Sequence, residues 1–178
     1  MEGRKHIVLG ISAGLMASAG IYKLDPSLAT PALVAASVFG STIGSVLPDL
    51  DSDRSSVSSL AYISVPIGFI SNFINEIISS PNHRGFMHDI TFWALVVGLC
   101  YKFLPLGWFV SMCGLFVGVI SHLVADAFNP SGVRILLFKS VRILGVSYNS
   151  LGEYAIWVIL NVLCLAAASS LRFGLIGG

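Results

Sequence analysis

Charged side chains are scarce in this chain of 178 residues. They make up only 11% of it, while 55% of the residues are hydrophobic. Soluble domains carry about 25% charged residues, so a water-soluble fold of this size could not bury so much apolar surface, and the excess must face lipid. The net charge of only +1 also argues against the basic face that nucleic-acid binding requires, so no nucleic-acid partner is expected.

Cysteine is scarce as well, and the few cysteines form no motif. The three of them lie in apolar stretches without Cys-x-x-Cys spacing, so neither a disulfide framework nor a zinc ribbon is predicted. The sequence also contains no P-loop, no Rossmann glycine fingerprint and no serine-nucleophile elbow. We therefore expect residues 1–178 to form a single membrane-embedded domain whose chemistry depends on histidines and carboxylates.

Five apolar segments are predicted to cross the membrane as helices, which takes about 17–25 residues each. They are Ile7–Tyr22, Leu28–Leu47, Ile90–Leu104, Trp108–Phe128 and Tyr154–Leu171. A sixth segment, Val57–Ser79, contains proline, asparagine and glutamate, which favours a re-entrant or interfacial course. The predicted fold class is all-α: a polytopic membrane helix bundle of about five transmembrane helices plus one re-entrant or interfacial segment.

Polar residues concentrate at the ends of these segments. All four histidines and five aspartates lie there: His6, His83, His88, His122, Asp49, Asp51, Asp53, Asp89 and Asp126. If Val57–Ser79 begins and ends on the same side of the membrane, the alternation of crossings places all of these residues on one face and the C-terminus on the other. The sequence therefore predicts one shared polar pocket at a membrane face.

Basic residues are divided unevenly between the two faces. The histidine-bearing face carries Arg4, Lys5, Arg54, Arg84, Arg134, Lys139 and Arg142, and the other carries Lys23, Lys102 and Arg172. Because Lys and Arg are enriched in cytoplasmic loops, the pocket is predicted on the cytoplasmic face of the inner (cytoplasmic) membrane.

The strongest chemical signal is the stretch His122-Leu-Val-Ala-Asp126. Residues four apart share a helix face, so this imidazole and carboxylate can bind one metal ion or bridge two. The alternative is a hydrogen-bonded polar pair between helices. Since ionisable groups at membrane depth are costly without a partner or a function, the spacing favours metal binding.

A second signal is the stretch His83-Arg84-Gly85-Phe86-Met87-His88-Asp89. Its histidines do not share a helix face, so a loop that turns into a helix is predicted. Either histidine could reach a metal ion; we take His88 as the ligand and assign His83 and Asp89 as acid or base. Arg84 offers a planar fork for a phosphate or carboxylate, with anchoring to a lipid headgroup as the alternative.

Further carboxylates follow the second apolar segment. Asp49 and Asp51 are predicted metal ligands, whereas Asp53 is interpreted as solvated surface. Their spacing resembles the start of a calcium loop, but Arg54 occupies the position where that loop requires glycine. His6 joins the predicted ligands because it lies on the same face.

The predicted ligand types agree with one another. Histidines and carboxylates without a thiolate suit Zn²⁺, or Mn²⁺ in a binuclear site, and one to three ions are expected. A bound ion lowers the pKa of water toward neutrality and stabilises an oxyanion. The predicted reaction is attack of a metal-activated water on an ester.

The combined motifs resemble a known family. The early His6, the Pro-Asp-x-Asp ending in Asp51, the His-Arg-Gly-x-x-His ending in His88 and the His-x-x-x-Asp ending in Asp126 resemble the YdjM family, described as LexA-regulated, membrane-bound, metal-dependent hydrolases. That family is similar in turn to zinc-dependent phospholipase C and to single-strand nucleases, helical enzymes that bind zinc through His and Asp. The resemblance implies a hydrolase-like domain.

Two functions are compatible with this pattern. The first is a membrane-bound metal-dependent hydrolase, surrounded by membrane lipid and acting on a small phosphoester or phospholipid whose phosphate Arg84 and Arg134 hold. The second is a non-enzymatic membrane protein with a structural or sensory metal. A third interpretation treats the polar residues as interfacial hydrogen bonders, and it predicts no bound metal.

Overall fold

The computed structural model describes residues 3–28, 30–51, 88–135 and 139–173. The predictions for Val57–Ser79, Asp53, His83 and Arg84 lie outside the described residues.

Helices dominate the described part of the chain. They are α1 (Gly3–Leu24), α2 (Pro31–Gly44), α3 (Ile90–Phe103), α4 (Leu106–Ala127) and α5 (Leu151–Phe173). They coincide with the five predicted segments apart from a few residues at their ends. The predicted all-α membrane helix bundle is confirmed.

The helices differ in length relative to the bilayer. Four stretches are long and apolar enough to cross: Arg4–Leu24, Pro31–Asp49, Leu106–Ala127 and Leu151–Leu171. In contrast, α3 has 14 residues, about 21 Å at 1.5 Å per residue, which is less than the hydrocarbon thickness of about 30 Å. By length, four of the predicted crossings are confirmed within the described ranges, and α3 is too short to span alone.

The last residues of the second segment leave the α-helix. α2 ends at Gly44, and a 3₁₀ turn, Leu47–Asp51, follows. Proline lacks a backbone N–H and cannot continue an α-helix, so α2 does not extend through Pro48. Asp49 is therefore presented from a turn at the end of the bundle.

A short hairpin follows α4. Its strands, β1 (Val133–Ile135) and β2 (Lys139–Val141), pair antiparallel. The chain then returns to the end of α4, where the amide of Ile143 donates to the carbonyl of Ala127 at 2.8 Å and the amide of Val146 donates to that of Phe128 at 2.7 Å. These bonds satisfy carbonyl groups that a helix end leaves without partners, and they hold the last turn of α4 in place.

The backbones of α2 and α4 are in close contact. Gly40 and Gly44 on α2, and Gly114 and Gly118 on α4, have the small-xxx-small spacing that lets membrane helices approach closely. A Cβ atom added to any of the four would overlap a backbone carbonyl of the facing helix. Only glycine permits this separation of the two helices.

The remaining helices pack around this pair. In α1, the carbonyl of Gly10 accepts a hydrogen bond from the hydroxyl of Ser41 at 2.7 Å, and α5 packs mainly against α1. α3 runs antiparallel to α4, and its Trp93 packs against Val119 and Leu123. The short α3 therefore begins below the end of α4, at the level of its last turns.

Replacing Gly118 by alanine should weaken the contact between α2 and α4. The new methyl group would overlap the carbonyl oxygen of Ser41, and such overpacking costs about 1–3 kcal/mol. We expect a Tm in detergent about 5 °C below that of the wild type, measured by circular dichroism. In the control Gly107→Ala, on the same helix, the methyl group meets no heavy atom within 4 Å. Equal Tm values for the two variants would contradict the packing described above.

Candidate metal centre

Four polar side chains from three elements meet at one end of the bundle. Asp49 comes from the 3₁₀ turn after α2, His88 lies two residues before α3, and His122 and Asp126 lie in the last turns of α4. One nitrogen or oxygen atom of each lies within 4.8 Å of the others. Asp49 is partly exposed and the other three are buried, so the cluster opens on the side of Asp49.

His122 is held from one side and faces the cluster with the other. Its Nδ1 lies 2.7 Å from the carbonyl oxygen of Ser45, and since a carbonyl can only accept, Nδ1 carries the proton. Its fully buried Nε2 has no hydrogen-bond partner among the described residues. A metal-binding histidine almost always donates its other ring N–H in this way, which directs the free lone pair at the ion.

The two oxygens of Asp126 have different neighbours. Oδ2 lies 3.6 Å from Nε2 of His122, and Oδ1 accepts a hydrogen bond from Nδ2 of Asn129 at 2.6 Å. Helical side chains lean toward the N-terminus of their helix, so this carboxylate reaches back to the level of His122. Asn129 thereby orients Asp126 and leaves Oδ2 directed into the cluster.

His6 lies beside the four-residue cluster. Its ring stacks on that of His122 with centroids 3.9 Å apart, and its Nε2 is 3.6 Å from Oδ1 of Asp126. The side chain is 1% exposed, and neither ring nitrogen has a hydrogen-bond partner in the described part of the chain. His6 is therefore a further nitrogen donor next to Asp126.

The distances between the nitrogen and oxygen atoms of the cluster fit ligands of one shared metal ion better than they fit direct hydrogen bonds. Nε2 of His122 is 3.6 Å from Oδ1 of Asp49, and Nε2 of His88 is 4.0 Å from the same oxygen. Hydrogen bonds are about 2.7–3.2 Å long, whereas two donors that each lie about 2.0–2.2 Å from one ion are separated by more than 3 Å. The two histidines and two aspartates could hold a metal ion.

The predicted metal ligands lie close together, except for one whose side chain is outside the described residues. Those found at this end of the bundle are His6, Asp49, His88, His122 and Asp126. Of the two histidines that could reach a metal ion, His88 lies in the cluster, and His83 lies outside the described residues. The side chain of Asp51 lies outside the described residues.

Of the predicted catalytic residues, Asp89 can be located. It is 2% exposed and forms the N-cap of α3, where its carboxylate accepts the amide of Thr91 at 2.7 Å. Capping accounts for one of its oxygens, and its role as acid or base stays a prediction. His83 and Arg84 are outside the described ranges, as is the side chain of Arg134.

Two groups at the site were not predicted from the sequence. The contribution of Ser45 is a backbone carbonyl, which no side-chain pattern reports. Asn129 follows Asp126 at a spacing of three residues, one helical turn, and this spacing is the signal that could have identified it.

A family profile and several bacterial proteins are similar to this chain. A family profile described as YdjM inner membrane protein matches residues 1–174. The uncharacterized protein YvsG of Bacillus subtilis (strain 168) is 29% identical over 168 residues, which cover 94% of this chain and 92% of YvsG.

Two longer relatives are matched over part of their length. The uncharacterized protein YfhP of Bacillus subtilis (strain 168) is 28% identical over 140 residues, 75% of this chain and 36% of YfhP. The inner membrane protein YdjM of Escherichia coli (strain K12) is 32% identical over 95 residues, 51% of this chain and 43% of YdjM. No solved structure matches the chain. Because the family profile matches nearly the whole sequence, the chain belongs to the YdjM inner membrane protein family.

Proposed function

We propose that this chain is a membrane-bound, metal-dependent hydrolase of phosphoester bonds. The observation that carries the proposal is the state of His122: Nδ1 is fixed by the Ser45 carbonyl, while the buried Nε2 faces the carboxylates of Asp49 and Asp126 at 3.6 Å. Burying a polar nitrogen without a partner costs about 1–3 kcal/mol, and a metal ion at this position would remove that cost.

The described donors suit a particular kind of ion. Asp49, His88, His122 and Asp126 would be the ligands, with His6 as an additional donor beside Asp126. Imidazole and carboxylate donors without a thiolate favour Zn²⁺, or Mn²⁺ in a binuclear site, and we propose one to three ions. A bound ion would supply Lewis acidity and lower the pKa of a water molecule toward neutrality.

The position of the site supports a phosphoester substrate. Asp126 lies in the last turn of α4, at the end of a helix long enough to cross a membrane, and that end lies near the phosphodiester headgroups of lipids. Arg84 and Arg134 remain the proposed phosphate-binding residues. The cytoplasmic location of this end stays a prediction from the distribution of Lys and Arg, which cysteine labelling from either side of the membrane would test.

The alternative is a membrane protein with a structural or sensory metal. It is favoured by the number of donors, because four protein ligands can close a tetrahedral zinc site, whereas catalytic zinc keeps one position open. The coordination of the bound metal separates the two functions: a water or phosphate ligand supports the hydrolase, and an all-protein coordination supports the alternative.

Metal should co-purify with the wild-type protein and be lost from His122→Ala, because this substitution removes the imidazole at the centre of the cluster. Elemental analysis of detergent-purified protein provides the measurement, and we expect occupancy to fall at least about 10-fold. Val124→Ala, at an exposed position of the same helix, is the matched control. Absence of metal from both wild type and variant would instead support the interfacial hydrogen-bonding interpretation.

Asn129→Leu should weaken metal binding without removing a ligand. The substitution keeps the branched shape of the side chain but deletes the donor that holds Oδ1 of Asp126, and loss of such an outer hydrogen bond typically lowers metal affinity about 10–100-fold. Competition with a chelator measures the change. Ser131→Ala, an exposed position in the same turn, should leave the affinity unaltered, and an unaltered affinity in Asn129→Leu would show that Asp126 is oriented by other contacts.

Asp126→Asn should abolish turnover of phosphodiester and phospholipid substrates. Asparagine preserves the shape of the side chain but removes the charge that would bind the metal, so we expect a loss of at least about 100-fold in kcat/KM. The assay requires metal-loaded wild-type protein screened on both substrate types. Metal-loaded protein that hydrolyses neither type, or a variant that is as active as the wild type, would refute the hydrolase.

A further inference from the structure

Helix α5 carries one polar stripe on an otherwise lipid-facing surface. Exposed positions such as Val158, Ile159 and Val162 are apolar. Glu153, Trp157 and Asn161, by contrast, are spaced four residues apart and so lie on one face of the helix. Glu153 and Asn161 are buried, at 2% and 9% exposure.

Every residue of this stripe contacts α1. The carboxylate of Glu153 forms an ion pair with Nζ of Lys5 at 3.4 Å, and the indole N–H of Trp157 donates to the backbone carbonyl of Lys5 at 3.0 Å. One turn further, the hydroxyl of Ser12 donates to Oδ1 of Asn161 at 2.7 Å. Two of the three contacts thus converge on Lys5, which directly precedes His6.

Glu153 is itself fixed to the start of α5. Its carboxylate accepts the backbone amide of Asn149, and its own amide donates to the hydroxyl of Ser150 at 3.2 Å, an arrangement close to a capping box. The Lys5 ammonium also lies 3.8 Å from the ring centroid of Tyr154. The group that pairs with Lys5 is therefore rigid relative to the helix that carries it.

We propose that Glu153 and Trp157 are positioning residues that set the register of α1 against α5 and so hold His6 at the metal centre. The inference rests on the proposed metal binding for its effect on affinity. Apolar contacts between membrane helices can be exchanged for contacts with lipid, so they define register weakly. A slip of one helical turn, about 5.4 Å, would leave Lys5 and Glu153 buried without each other, which membranes penalise heavily.

If the ion pair between Lys5 and Glu153 only stabilised the fold, the expected experimental results would differ from those of a positioning role. Replacing a buried ion pair by uncharged residues of similar volume is often neutral for stability, whereas removal of one partner is not. In Lys5→Met/Glu153→Gln, glutamine still accepts the amide of Asn149, and neither position carries a buried charge. We expect this variant to keep the wild-type Tm while its metal affinity falls about 10-fold. Wild-type affinity in this variant would overturn the proposal.

Trp157→Phe provides a second variant that leaves the charges in place. It keeps an aromatic ring on α5 but removes the donor to the Lys5 carbonyl. We expect a drop in metal affinity in the same direction, and no drop in Val158→Ala, whose side chain is 48% exposed. Equal affinities in these two variants would count against the proposal even if the double variant failed to fold.

The positioning effect must act through His6. In a His6→Ala background, the Lys5→Met/Glu153→Gln substitutions should cause no further loss of metal affinity, since the donor they position is already absent. If the losses of metal affinity from His6→Ala and from Lys5→Met/Glu153→Gln were fully additive, the ion pair would act on the metal centre by a route other than His6.

A register measurement that needs no metal separates this inference from the proposed function. In a chain whose native cysteines are replaced, Ser12→Cys and Asn161→Cys should be joined by a short bifunctional thiol reagent, because the native side chains are in contact. Adding Lys5→Met/Glu153→Gln should lower the cross-linking yield several-fold. An unchanged yield would refute the register role, whereas a reduced yield in a protein that binds no metal would support it and refute only the proposed function.

Discussion

The close approach of the α2 and α4 backbones is the constraint on which the site depends. Four glycines remove the side chains that would otherwise separate the two helices, and the contact continues to the end of α2. There the Ser45 carbonyl lies within hydrogen-bond distance of His122, one turn beyond Gly118. A wider helix separation would lose this bond, and with it the ring orientation that directs Nε2 toward the carboxylates.

The polar groups at this end of the bundle are expensive for a protein embedded in lipid. His6 and His122 are almost fully buried and carry ring nitrogens without hydrogen-bond partners among the described residues. Folding alone would favour apolar residues at both positions, because an unsatisfied buried polar group opposes folding. Two such histidines side by side, next to carboxylates, are better explained by the chemistry of a binding site than by packing.

Much of this arrangement follows from the sequence, because lipid restricts the options. Crossing a bilayer forces the chain to alternate between faces, so the positions of His6, Asp49 and His122 at segment ends predict their convergence, and the i, i+4 spacing of His122 and Asp126 predicts a shared helix face. The pairing of Lys5 with Glu153 could not be predicted, because the two residues are far apart in the sequence. The remaining sequence of α5 is mainly apolar and indicates only a membrane-spanning helix. The position of His88 also depends on where α3 begins, which apolar composition does not specify.

The short length of α3 determines how deep the site lies. Because α3 begins near the level of His122, the cluster lies within the last two turns of α4, with His122 five residues, roughly 7–8 Å along the helix axis, from the end of that helix. Under the proposed function, the bond to be hydrolysed would therefore have to reach below the end of α4. A substrate of the proposed hydrolase would then be selected by its shape, because a slender terminal group on a flexible stem could enter, whereas a bond in the middle of a wide, folded polymer could not.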